Sequence, residues 1–198
     1  MGISGHVMAM NRVQQRLTRS TAALDRAGVR YAVVGGNAVA AWVGRVDPGA
    51  TRATKDVDLL VSREDLAKVT SALTAPPLNF TRQILTHEDL RDIVLFIDPD
   101  EPSKTSGVHL VWAGEKIRPS YTVLSPLVDE SERDPEGFLV VSLAALVRMK
   151  LTSYRPIDQA HVTDLLSVSL INPALRAALP AELALRLADI ERGLLEHE

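Results

Sequence analysis

Apolar residues recur at helical spacing near the start of the chain, where Met10, Val13, Leu17 and Leu24 share one stripe and the pattern stops at Gly28. This predicts an amphipathic helix over about residues 8 to 27, closed by a glycine cap, with a basic and polar opposite face. The run Val29 to Val34 is β-rich and ends on Gly35-Gly36, after which Asn37 to Trp42 can restart a helix. Strand, glycine turn and helix are therefore expected in succession. Asp47-Pro48-Gly49 supplies turn chemistry, and Lys55 to Val61 follows as a strand. Ser62 with Asp65 three residues on has the form of a capping box, opening a helix to about Leu73 that Pro76-Pro77 terminates.

In the middle of the chain Leu78 to Leu85 and Ile93 to Ile97 both fit strands, and Gly107 to Trp112 fits one better. The turn-rich Asp98 to Ser106 predicts a hairpin. Glu115 to Gly137 is polar and broken by prolines, the pattern of a long excursion linking the sheet to a helical tail. Helical periodicity returns over Ser142 to Leu151, Pro156 to Leu170 and Pro180 to Leu195, the last with Leu183, Leu187, Ile190 and Leu194 on one stripe. The expected fold is α/β (α+β): a mixed β-sheet flanked by helices, with strands near residues 30–34, 55–61 and 107–112 and the last beside the second. Residues 1–137 are expected to form the core with its N-terminal helix, and 138–198 a helical C-terminal region packed on it.

Composition narrows the function more than the fold. The 198 residues are 46% hydrophobic and 24% charged, an ordinary globular balance. A formal net charge of -3 gives no support for DNA as the main partner. The chain has no cysteine, which excludes disulfides, thiolate zinc sites and cysteine catalysis. No stretch approaches the roughly 18 apolar residues of a membrane span, so a cytoplasmic location is the expectation. A serine-hydrolase elbow and a Gly-Lys-Ser/Thr phosphate loop are both missing. Trp42, Trp112 and Tyr121 are too dispersed for a nucleic-acid stacking platform and read as core or cleft wall.

Asp56 and Asp58 sit two apart in an apolar strand, so both carboxylates project from one face. Two like charges so placed repel unless a cation neutralises them, and Mg²⁺ is suited by one or two carboxylates together with substrate phosphates. A solvated strand end has the same spacing. Gly35-Gly36 lets the backbone approach a ligand while the following helix N-terminus points N–H groups at an anion; a plain tight turn reads identically.

The two features together say more. Gly-Gly opening a helix, about 20 residues, then Arg52-x-Thr54-x-Asp56-x-Asp58 leading an apolar strand resembles the DNA polymerase-β-like nucleotidyltransferase superfamily, and within it the AbiEii-type bacterial members. The tail, Lys150 to Arg155 followed by Asp158 and Asp164, is similar to the helical segment that follows the sheet in those relatives. The resemblance spans roughly residues 29 to 170 and implies a metal-dependent nucleotidyltransferase that moves NMP from an NTP to an acceptor. By this resemblance Gly35 and Gly36, with the Asn37 helix start, hold the triphosphate, and Asp56 and Asp58 bind Mg²⁺ or Mn²⁺. Arg52, Lys55, Lys150 and Arg155 become candidate phosphate contacts, and Asp158 a group that accepts a proton or fixes a cation; surface ion pairs would look the same. If His161 joins Lys150, Arg155, Asp158 and Asp164, this cluster faces the cleft. The acceptor, whether small molecule, RNA or protein, is not legible. Several relatives are toxins of toxin–antitoxin pairs, which implies an antitoxin-like protein partner by analogy.

The chain departs from the superfamily at one place. The third acidic residue expected from a neighbouring strand is replaced by His109, with Glu115 and Asp98 as alternative sources. Three readings of His109 stay open: metal ligand, general base, or half-buried strand histidine. The same substitution motivates the rival reading, a catalytically degenerate module that binds nucleotide or a protein without transfer.

Overall fold

A computed structural model describes residues 3–87 and 90–196, with side chains described at 11–86 and 92–196. Its strands are β1 (Tyr31–Val34), β2 (Val57–Val61), β3 (Thr81–His87), β4 (Leu90–Ile97), β5 (Val108–Trp112), β6 (Ser131–Arg133) and β7 (Leu139–Val141). Its α-helices are α1 (Ile3–Arg26), α2 (Gly35–Gly44), α3 (Leu66–Thr74), α4 (Leu143–Ser153), α5 (Pro156–Ser167), α6 (Pro173–Ala177) and α7 (Ala181–Leu195). The strands make one mixed sheet in the order β3-β4-β5-β2-β1-β7-β6. β2 runs antiparallel to β1 and parallel to β5, so the Asp58 strand is central, the placement expected of it.

Apolar patterning explains the layers. Tyr31, Ala32, Val33 and Val34 are all buried, as are Leu59, Leu60 and Val61, because the middle of the sheet is covered on both faces. On α1, Val13, Leu17 and Leu24 are buried as the stripe requires, and Met10 lies outside the described side chains. α1 packs on α3 and β2, while α2, α4, α5 and α7 pack among themselves. Leu183, Leu187 and Ile190 of α7 are buried; Leu194, the fourth member of that stripe, is exposed, since the last turn runs past its neighbours. The β4–β5 hairpin forms as expected, with Leu95 opposite His109.

Three expectations are corrected. The stretch from Glu115 to Gly137 is not purely a linker: β6 forms within it and pairs with β7, which adds parallel to β1. Three-residue strands bury too few alternating positions to leave a readable period. The Ser62 hydroxyl makes no cap bond; a 3₁₀ turn over Arg63–Asp65 intervenes before α3, and Asp65 pairs with Lys68 instead. A short helix, α6, interrupts the tail, capped by the Asn172 side chain accepting from the Leu175 N–H. No helix among the described residues is long and apolar enough to cross a membrane.

Candidate functional site

The register across the sheet assembles the site. Val34 lies opposite Asp58 on one side, His109 lies opposite Asp58 on the other, and Leu95 continues the row on β4. Residues in register share a face, so Asp58 and His109 point together, and Asp56 joins them from just before β2. One ligand atom from each of Asp56, Asp58 and His109 lies within 4.8 Å of the others. His109 Nδ1 is 3.6 Å from Asp56 Oδ2 and 3.6 Å from Asp58 Oδ1.

Each member is held from behind. Asn37 Nδ2 donates to the Asp56 carbonyl at 2.6 Å, and Thr54 Oγ1 donates to Asp56 Oδ1 at 3.0 Å. His109 Nε2 lies 3.1 Å from the Lys104 carbonyl; an N–H there leaves Nδ1 as the atom facing the carboxylates. Gly35 has φ +69°, and a Cβ on it would sit 2.8 Å from Asp58 Cγ. Gly36 is constrained by contact alone, since its Cβ would sit 2.8 Å from Thr54 Oγ1. The glycine pair therefore does more than turn the chain: it makes room for Asp58 and for the residue that orients Asp56.

Charge in the cluster is mutually adjusted. Burial by itself would lower the His109 pKa, but the Asp56 and Asp58 carboxylates 3.6 Å from Nδ1 outweigh it and push the imidazole up to about 10. Burial would raise Asp56, yet His109 and Thr54 bring it below the usual carboxylate range. With no cation competing, position 109 therefore carries an imidazolium between two carboxylates. Two carboxylate oxygens and an imidazole nitrogen also form a donor set that Mg²⁺ or, better, Mn²⁺ can use.

A cavity of about 520 Å³ opens over this cluster. Its walls bring together most of the residues picked out from the sequence: Gly35, Asp56, Asp58, His109, Lys150, Arg155 and Asp158. The last three meet at the α4–α5 corner, where Tyr154 turns the chain with φ 49°. Asp158 Oδ1 accepts from Lys150 Nζ at 3.1 Å, and Oδ2 accepts from Ser153 Oγ at 2.6 Å and from Arg155 Nε at 2.6 Å. Burial raises the Asp158 pKa, but Arg155, Lys150 and Ser153 together hold it down at about 2. A carboxylate so engaged holds Lys150 and Arg155 in place at the cavity wall.

Other sequence-derived candidates fall elsewhere. Arg52 forms a two-pronged pair with Asp164 at 2.9 Å and 2.9 Å, so it braces the loop before β2 against α5. Asn37 and Arg52 line a second cavity of about 440 Å³. The Lys55 carbonyl accepts from the buried Arg16, and Lys55 lines neither cavity. His161 is buried, with Nδ1 unpaired among the described residues; burial and Lys150 lower its pKa to about 4. Neither alternative source of a third acid reaches the cluster: Asp98 is buried against Arg16 and Arg19, and Glu115 pairs with Arg63.

The cavity also recruits groups that the sequence pattern did not single out. Lys104 and Thr105 come from the β4–β5 turn, Asp92 and Ile93 from β4, and Lys116, Ile117 and Arg118 from the stretch after β5. Tyr121 joins them as a cleft-wall residue. Their only sequence signal is a Lys-x-Arg pair in an irregular segment, which has no period to fix its direction.

No protein-family model and no curated protein matches the chain. Solved structures do match it in fold. The solution structure of the antibiotic-resistance factor ANT(2″)-Ia superposes with TM-score 0.54 at 16% identity, covering 96% of this chain and 97% of that one. The crystal structure of ANT(2″)-Ia with adenylyl-2″-tobramycin gives TM-score 0.51 at 16% identity, covering 93% and 99%. An antigenic nucleotidyltransferase-like protein from Paracoccidioides brasiliensis gives 0.50 at 17% identity, covering 95% and 87%. The chain therefore has a nucleotidyltransferase-like fold over nearly its whole length.

Proposed function

We propose that the protein is a metal-dependent nucleotidyltransferase that moves NMP from an NTP to an acceptor hydroxyl. The observation that carries this reading is the convergence of Asp56, Asp58 and His109 on one point beside the Gly35 turn, at the foot of an open cavity. Asp56, Asp58 and His109 Nδ1 would hold Mg²⁺ or Mn²⁺, which when bound supplies Lewis-acid stabilisation of phosphate charge. The N-terminus of α2, Lys150 and Arg155 would then bind the β- and γ-phosphates through backbone N–H groups and fixed positive charge. Asp158 keeps both cations aimed at the cavity. The acceptor oxygen forms a bond to the α-phosphorus, the bond from that phosphorus to the bridging oxygen breaks, and pyrophosphate leaves with the electron pair.

Both nitrogens of His109 are engaged, one by Lys104 and one by the carboxylates, so its geometry supports a ligand role over a base; the acceptor proton goes to water. The open cavity of about 520 Å³ over Asp56, Asp58 and His109 supports transfer over the degenerate reading, since it leaves room for a nucleotide beside the cluster. Within the superfamily, the Lys150–Asp158 corner is what favours an AbiEii-type member; a toxin-like role with an antitoxin-like protein partner follows from that likeness by analogy only. Incubation with each labelled NTP and Mg²⁺ or Mn²⁺ tests the reading: self-labelling or pyrophosphate release is expected, and silence with every NTP together with no metal-dependent nucleotide binding would overturn it.

A further inference from the structure

We infer that the acceptor is a small hydroxylated organic acid, an apolar body with an anionic end, held at the β4–β5 end of the cavity. This rests on the transferase reading and names its acceptor class. The floor there is apolar: Leu85 pairs with Ile93 across β3 and β4, and Val111 continues the His109 face of β5. Charge on the surrounding wall is one-sided. Asp56 and Asp58 are committed to the cation in that reading, and Asp158 is saturated by Lys150, Ser153 and Arg155. Among the described residues, what remains is Lys104, Lys116 and Arg118 against Asp92.

Among the described residues none of these three cationic side chains makes an ion pair, and Lys116 and Arg118 are half-buried. Partly desolvated cations with no internal partner favour an anion, which would form charge-assisted hydrogen bonds to them. A polyamine such as an aminoglycoside would set its ammonium groups against three like charges. The volume, about 520 Å³ for nucleotide and acceptor together, suits a small molecule better than a polynucleotide, and the net charge of -3 gives no general pull on a polyanion.

The test uses the full chain with Mg²⁺, α,β-methylene-ATP, and 8-anilinonaphthalene-1-sulfonate as a fluorescent apolar anion. Lys116→Glu and Arg118→Glu should each weaken probe binding about tenfold, as a charge reversal beside an anion requires. Nucleotide affinity by calorimetry should stay unchanged in both, and Asp92→Asn should tighten the probe. Unaltered probe affinity in both reversal variants overturns the inference. So does displacement of the probe by tobramycin or a short RNA, or a loss of nucleotide affinity in the Lys116 and Arg118 variants, which would assign those cations to the triphosphate. If the wild-type chain binds no α,β-methylene-ATP while the probe behaves as expected, the transferase reading falls and the organic-anion site stands.

Discussion

Gly35 and Asp58 touch so closely that no side chain fits between them: a Cβ on residue 35 would lie 2.8 Å from Asp58 Cγ, on a backbone already at φ +69°. Glycine is required here both by backbone conformation and by the carboxylate it abuts. Gly35→Ala should therefore cost about 1–3 kcal/mol in folding stability, from left-handed strain and the contact together. It should also turn Asp58 away and weaken divalent-cation binding. Urea unfolding and Mn²⁺ calorimetry on the same variant check both; unchanged metal affinity would separate the glycine from the cation site.

Asp56→Asn and Asp58→Asn should each abolish Mg²⁺-dependent NTP binding and leave the far-ultraviolet circular dichroism unchanged, because each removes a charged oxygen ligand. Relief of carboxylate repulsion would predict a gain in thermal stability. His109 already bridges the pair at 3.6 Å to each, so no gain is expected. A higher Tm in either variant would show that the bridge is weaker than its geometry implies.

The raised His109 pKa has a definite sign. With a folded value of about 10 against an ordinary value near 6.5, the bridge contributes stability fully present below about 6.5 and lost as pH rises through 10. The metal-free protein should lose more stability across that window than His109→Gln. A cation taking Nδ1 must displace its proton, so metal affinity should rise with pH and binding should release about one proton. Calorimetry in buffers of different ionisation enthalpy reads this directly. His109→Asp should raise cation affinity through a third carboxylate and lower metal-free stability through added repulsion.

At the α4–α5 corner, Asp158→Asn leaves Lys150 buried with its charge uncompensated, a loss of about 3–5 kcal/mol. The Asp158 carboxylate is held down at about 2, so its contribution is present above about 4 and is lost as pH falls through 2. Equilibrium unfolding of wild type and variant should converge at the acid end. A constant difference between pH 2 and pH 7 would exclude the ion pair as its source.

How far the chain could be read without its structure depends on the range of the interaction concerned. Gly35-Gly36 before a helix and Asp56-x-Asp58 in a strand are local patterns, and local backbone rules decide turn, strand and shared face, so this half of the site was visible in the residues themselves. The α4–α5 corner was half visible: its charged groups were evident, but only packing shows that Asp158 restrains Lys150 and Arg155. Strands as short as β6 and β7 left no period to read, and neither did the path that carries Lys116 and Arg118 over the cavity. The sequence by itself determined the fold class, the glycine turn and the paired carboxylates, because those depend on neighbours in the chain. The tertiary structure alone decided the charge of His109, the bracing role of Arg52 and the cationic wall of the cavity, because a group's charge state and direction depend on partners that the chain brings together from distant positions.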